Sequence, residues 1–125
     1  MLTHIILTVS NIERSLAFYE AALKPLDIKF FLPYKGEHGH PDLWGLGDGR
    51  KACFWLKEDK PDPGSIHWGF KARNRTQVDN FYRAAMAVGA KGNISPRARV
   101  EYYPGYYAAD VFDPDGYSFE VVHKS

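Results

Sequence analysis

A chain of 125 residues has the size of one compact domain and can bury roughly 65 to 70% of the surface its unfolded form exposes. Hydrophobic residues make up 45% and charged residues 25%, which excludes a disordered, fibrous or collagen-like protein. Sixteen Lys and Arg against fifteen Asp and Glu leave a net charge of +1, so there is no broad cationic field for nucleic acid or an anionic membrane, and small molecules are the expected partners.

The first residues, Met1 to His4, lack the basic flank and cleavage site of a signal peptide, and no apolar run approaches the ~20 residues of a membrane span. A cytoplasmic location is the expectation. His4 to Val9 is apolar and β-branched and reads as a strand. Ser10 then offers a helix cap with Glu13 three residues on, and Ile12, Leu16, Tyr19 and Leu23 recur at helical spacing until Pro25. Strands are expected at Ile28 to Leu32, Leu43 to Leu46 and Ala52 to Leu56. His38 and His40 fall among glycines and a proline and read as a loop lidding a cavity. Cys53, the only cysteine, stands between Ala52 and Phe54 and is expected to be a small buried hydrophobe. Pro61, Pro63 and Gly64 mark a linker over residues 58–65.

The second half begins with a strand at His67 to Ala72 and a helix capped by Asn74. Val78, Phe81, Tyr82 and Ala85 form that helix's buried stripe, and Gly89 stops it. Ala90 to Ile94, Tyr106 to Phe112 and Tyr117 to Val122 read as strands. The last two are joined as a hairpin by Asp113-Pro114-Asp115-Gly116.

The halves are copies. Shifting the sequence by 63 positions lays residues 4–23 on residues 67–86 without a gap and makes six pairs identical: His4 with His67, Asn11 with Asn74, Phe18 with Phe81, Tyr19 with Tyr82, Ala21 with Ala84 and Ala22 with Ala85. Chance gives about one. The fold expected is therefore α+β: two tandem βαβββ modules, residues 1–57 and 66–125, forming one domain with flanking helices and a curved mixed sheet around a cavity.

Duplication puts His4 and His67 at equivalent positions, where two pseudo-symmetric strands can supply two ligands to one metal. Glu120 lies in the apolar strand Ser118-Phe119-Glu120-Val121-Val122, where a carboxylate needs a cation, a partner or water. Two imidazoles and one carboxylate leave coordination positions open on a divalent ion, as catalysis requires. His123, three residues from Glu120, belongs to the opposite strand face.

Together, a histidine opening each repeated strand, the helix Ser15-Leu16-Ala17-Phe18-Tyr19 and the run Asp113-Pro114-Asp115-Gly116-Tyr117-Ser118-Phe119-Glu120 resemble the vicinal oxygen chelate superfamily. That superfamily includes glyoxalase I, extradiol dioxygenases, fosfomycin-resistance transferases and bleomycin-binding proteins. The resemblance covers nearly the whole chain and implies His4, His67 and Glu120 as metal ligands. Trp55 stands where many glyoxalases I carry a fourth ligand, a glutamate, which implies a three-ligand set closer to the dioxygenases and fosfomycin transferases. Asp110, at a position that faces the pocket in relatives, is then the candidate base.

The expected activity is that of a glyoxalase-like lyase or isomerase in which a divalent ion (Fe, Ni, Zn, Mn or Mg) chelates two adjacent oxygens of a small substrate. Trp44, Trp55, Tyr102, Tyr103 and Tyr107 would wall the pocket, with Arg97 or Arg99 pairing a substrate carboxylate. The alternatives are an iron-dependent extradiol-type dioxygenase and a metal-free binding protein of the bleomycin-resistance type. The resemblance also implies a homodimer.

Overall fold

The structure, a computed structural model, describes the chain from residue 1 to residue 125, apart from the side chain of Phe31. In chain order the elements are β1 (Ile5–Val9), α1 (Ile12–Leu23) with a short 3-10 turn (Lys24–Leu26), β2 (Lys29–Tyr34), β3 (Leu43–Gly47) and β4 (Ala52–Glu58). There follow β5 (Trp68–Lys71), α2 (Arg75–Ala87), β6 (Lys91–Ala98), β7 (Tyr106–Phe112) and β8 (Ser118–Lys124). This is βαβββ twice. The strands form two mixed four-stranded sheets with the same plan, β1-β4-β3-β2 and β5-β8-β7-β6, and neither closes into a barrel. In each sheet the outer strand preceding the helix pairs parallel with the last strand of its module. None of the helices is long and apolar enough to cross a membrane.

Strand alternation divides each sheet into a core face and an open face. Leu7, Val9, Phe54 and Leu56 of the first sheet and Ala109, Val111, Phe119 and Val121 of the second are buried with Phe18, Tyr19, Ala22 and Leu23 of α1 and Val78, Phe81 and Ala85 of α2. Aromatic rings join the modules: Tyr19 lies 5.5 Å from Phe119, while Phe54 meets Trp68 at 5.6 Å and Phe70 edge-on at 5.3 Å. Truncating one such buried ring costs about 3–5 kcal/mol, so this cluster is a main source of cohesion between the halves.

The Asp113–Gly116 turn is a second tie. Gly116 adopts φ 90°, which an L side chain resists, and its N–H donates to Asp113 O, closing the reversal. Asp113 is buried; its Oδ1 accepts from the backbone N–H groups of Asp115 and Tyr117, and its Oδ2 accepts from the Tyr19 hydroxyl at 2.5 Å. Asp115 accepts from the Ser10 N–H, the Ser10 hydroxyl and the Arg14 guanidinium. The Tyr117 hydroxyl donates to Thr8 O and accepts from Asp62 N–H in the connecting segment. A turn of the second module thus grips the first strand and helix of the first module.

These contacts correct two local expectations. Ser10 is not the cap of α1: Asn11 is, its Oδ1 accepting from Arg14 N–H, because Ser10 is engaged by Asp115 from the other module. The expected capping box with Glu13 gives way to Glu58 of β4, which accepts the Ile12 N–H. Asn74 caps α2 as expected, through Gln77 N–H. Cys53 is exposed rather than buried: Phe54 and Leu56 take the core positions of β4, so alternation turns Cys53 to the opposite face. Its pKa is raised, by partial burial and by the nearby Asp48 carboxylate.

Candidate metal and substrate site

The open face of the second sheet carries Gly69 and Lys71 of β5, Glu120, Val122 and Lys124 of β8, and Tyr106, Ala108 and Asp110 of β7. The registers Gly69↔Glu120, Lys71↔Val122 and Asp110↔Glu120 set these positions side by side. Phe119 and Val121 fill the core, so Glu120 between them must point away from it. Its stem lies over Gly69, where a Cβ would come within 3.1 Å of Glu120 Cγ, so the missing side chain gives the carboxylate its seat.

His67 ends the connecting segment just before β5. Its Nδ1 lies 2.9 Å from Ser118 O and 2.6 Å from Ser118 Oγ. A carbonyl oxygen can only accept, so a bond to it places the proton on Nδ1 and leaves Nε2 with a free lone pair in the neutral ring. Nε2 faces Glu120 Oε1 at 3.6 Å and Asp110 Oδ2 at 3.9 Å. Two donors each about 2.1 Å from one cation stand about 3.0–3.6 Å apart at bond angles of 90–120°, so the His67–Glu120 spacing suits a shared divalent ion.

Asp110 is largely buried, and its Oδ1 has no hydrogen-bond partner among the described residues. Burial raises its pKa, helped by the adjacent Glu120 charge; the positive charge of a protonated His67 ring and the Asn93 side chain offset part of that rise. The carboxylate is therefore a better proton acceptor than a solvated one. Glu120 is held by Tyr106, whose hydroxyl lies 3.1 Å from Oε1 and 3.0 Å from Oε2. Burial, and then this bond to a carboxylate, push the Tyr106 phenol up to about 12, so it remains the proton donor at neutral pH. The sequence marks Tyr106 only as the first residue of a strand, with no role in the site. The signal was there, since Tyr106 lies four residues before Asp110 on one strand and therefore shares its face.

The other expected site residues divide between locations. Tyr102 and Tyr103 flank Tyr106 at ring distances of 5.0 and 5.5 Å, with the Lys124 ammonium 5.7 Å from the rings of Tyr103 and Tyr106. Arg99 lies over the Tyr102 ring at 4.8 Å with its Nε on Glu101, whose hydrogen bond raises the guanidinium's pKa further. Arg97 is exposed on β6 opposite Ala108. Beside this group a hollow of about 380 Å³ is lined by Gly69, Lys71, Val122 and Lys124.

His4 stands elsewhere. It precedes β1 on the first sheet, is exposed, and lines a hollow of about 370 Å³ with Ile6, Tyr34, Leu43, Ala52 and Trp55. Its Nδ1 is 2.9 Å from Thr3 Oγ1. The two histidines are equivalent by repeat yet belong to different sheets, and among the described residues no three His, Cys, Asp or Glu are arranged to hold a metal ion. Of the loop histidines, His40 lies over the same open face, lining an adjoining hollow of about 470 Å³ with Ile6, Thr8, Tyr34, Pro41, Leu43 and Lys57.

Two expected wall residues turn away. Trp44 pairs with Leu56, on the face that carries Leu46 and Phe54, so alternation separates it from Trp55. Tyr107 lies one position out of phase with Tyr106: its hydroxyl donates to Asp79 on α2 at 2.6 Å and Arg75 covers its ring at 4.7 Å. His123 falls on that same face, its Nδ1 3.2 Å from Ala72 O.

Known proteins share this architecture. A glyoxalase/bleomycin resistance protein from Albidiferax ferrireducens T118 superposes with a TM-score of 0.77 at 24% identity, over 100% of this chain and 99% of its own. A variant of a genomically encoded fosfomycin resistance protein, FosX, from Listeria monocytogenes, solved with Mn(II) and 1S,2S-dihydroxypropylphosphonic acid, matches with a TM-score of 0.67 at 17% identity, over 97% of this chain and 87% of its own. TnmS3, an antibiotic binding protein from Streptomyces sp. CB03234, also gives 0.67, at 18% identity, over 100% and 96%. Identities this low speak for the fold alone. Among curated proteins no sequence matches the chain. The family model matches residues 1–121, and the chain accordingly belongs to the glyoxalase/bleomycin resistance protein/dioxygenase superfamily.

Proposed function

We propose that the protein is a divalent-metal-dependent, glyoxalase-like enzyme for a small substrate bearing two adjacent oxygens. His67 and Glu120 of one protomer and His4 of a second copy would hold the ion. The observation that carries this reading is the orientation of His67: Ser118 occupies Nδ1, and Nε2 is aimed at Glu120 Oε1 at 3.6 Å. Anchoring the distal nitrogen on a backbone carbonyl is how ligating histidines are usually oriented.

The bound ion would polarise the two substrate oxygens and stabilise negative charge developing on them. Asp110 would accept the proton released from substrate carbon, its basicity raised by burial. Tyr102, Tyr103 and Tyr106 would exclude water from one side, and Lys71 and Lys124 would favour an anionic substituent at the far end.

A second copy is invoked because His4 and His67 lie on different sheets whose open faces are both uncovered. The first sheet's face exposes Ile6 and Tyr34, at 49% and 47%, which is apolar surface suited to burial against another chain. The domain extends over both βαβββ modules in this reading, with residues 58–65 as the connection.

Metal analysis of untagged protein, with titrations of Fe, Ni, Zn, Mn and Mg, tests the reading. About one ion per chain, lost in Glu120→Ala, is expected. Mixing His4→Ala with Glu120→Ala should restore binding, because a mixed dimer contains one intact site. A protein that remains empty with every ion refutes the enzyme reading and leaves a metal-free binding protein. A monomeric mass in light scattering at all concentrations refutes the shared site.

A further inference from the structure

The contact between Tyr106 and Glu120 bears on which ions the site accepts. A carboxylate can meet a cation along its chelating edge, with both oxygens, or through an outer lone pair of one oxygen. The Tyr106 hydroxyl lies almost equally far from the two oxygens, 3.1 Å from Oε1 and 3.0 Å from Oε2, and so occupies the chelating edge. His67 Nε2 approaches Oε1 alone, at 3.6 Å. The stem of Glu120 rests on the bare backbone of Gly69, and the Tyr106 ring is braced by Tyr102 and Tyr103. Neither partner needs to move for this arrangement to persist when an ion binds beside His67.

We propose that Tyr106 is a positioning residue that limits Glu120 to one coordinating oxygen and thereby selects small divalent cations over calcium-sized ones. The inference rests on the metal reading above. Its physical basis is ligand count. Calcium takes about 6–8 oxygens at 2.3–2.6 Å and commonly claims both oxygens of a carboxylate, whereas small ions are satisfied by a single oxygen at about 2.0–2.2 Å. A hydroxyl on the chelating edge removes one donor from the larger ion and none from the smaller.

The test is calorimetric titration of wild type and Tyr106→Phe with Mn²⁺ and, separately, Ca²⁺. Phenylalanine keeps the braced ring and removes only the hydroxyl, and thermal melting of both proteins checks that the fold is retained. Wild type is expected to prefer Mn²⁺. In Tyr106→Phe the preference should fall by about tenfold or more, the scale on which partners of metal ligands act. A residue with a merely structural role would weaken both ions together and leave the ratio unchanged. Wild-type binding of Mn²⁺ with the same Mn²⁺/Ca²⁺ ratio in the variant, within threefold, overturns the inference but not the metal reading. If wild type binds neither ion, the selectivity inference is overturned, while the metal reading stands or falls on the Fe, Ni, Zn and Mg titrations.

Discussion

Tyr19→Phe tests the tie between the modules with the smallest perturbation available. Tyr19 is fully buried, and its ring packs against Phe18, Phe54 and Phe119 at 5.1, 4.9 and 5.5 Å, contacts that phenylalanine keeps. What is lost is the hydroxyl that donates to Asp113 Oδ2 at 2.5 Å, while the two backbone bonds to Oδ1 remain. A hydrogen bond to a buried charge contributes about 1.5–3 kcal/mol, and a neutral one about 0.5–1.5 kcal/mol. With unfolding entropy near 2.1 cal/mol/K per residue, a loss of ~2 kcal/mol in a 125-residue chain lowers Tm by about 8 °C. The pH dependence makes the test sharper. Burial raises the Asp113 pKa above its ordinary value of 3.8, and the Tyr19 bond opposes that rise. In the folded state the carboxyl therefore takes up its proton before the unfolded chain does, and its destabilising contribution is relieved as pH falls through the folded pKa. Removing Tyr19's hydroxyl raises that pKa further, so the variant's deficit is largest at neutral pH and shrinks on acidification toward pH 4. Urea unfolding at pH 7 and at pH 4 measures it. Equal deficits at the two pH values, or a loss below about 0.5 kcal/mol at pH 7, would refute the claim that a charged Asp113 is what the hydroxyl stabilises.

Asn11→Ala should cost about 1 kcal/mol in urea unfolding, as expected for a true N-cap, with Asn74→Ala costing a similar amount. Asp110→Asn should abolish turnover of the true substrate while stabilising the fold at pH 8 by on the order of 1 kcal/mol, since it removes a buried charge with an unpartnered oxygen. Because the folded pKa of Asp110 is raised, that gain should fade as pH drops toward 3.8; urea midpoints at pH 8 and pH 4 check it.

Local chemistry made much of this protein readable before folding was considered. The repeat places two strands and two helices at matching positions, because the hydrophobic period acts within a few residues of where it stands, as do the Asn74 cap and the stops at Pro25 and Gly89. The hairpin at Asp113-Pro114-Asp115-Gly116 is equally local, and its register forces Asp110 opposite Glu120. Strand parity alone excludes His123 from the site and would have admitted Tyr106 while excluding Tyr107, since the two tyrosines point to opposite faces of one strand. Other features depend on residues far apart in the chain, and only the tertiary structure decided them. Ser10 was drawn from helix capping by Asp115, 105 residues away, and Glu58 supplied the N-terminal acceptor in place of a capping box. Which face of β4 met the core was also decided there: Phe54 and Leu56 went inward, and alternation turned Cys53 outward. His4 and His67 are equivalent in sequence, but the two modules bury their helices together and form two sheets, so the histidines stand on separate open faces. Repetition determines equivalence because each module folds by the same short-range rules; proximity is set by which faces the shared core leaves uncovered.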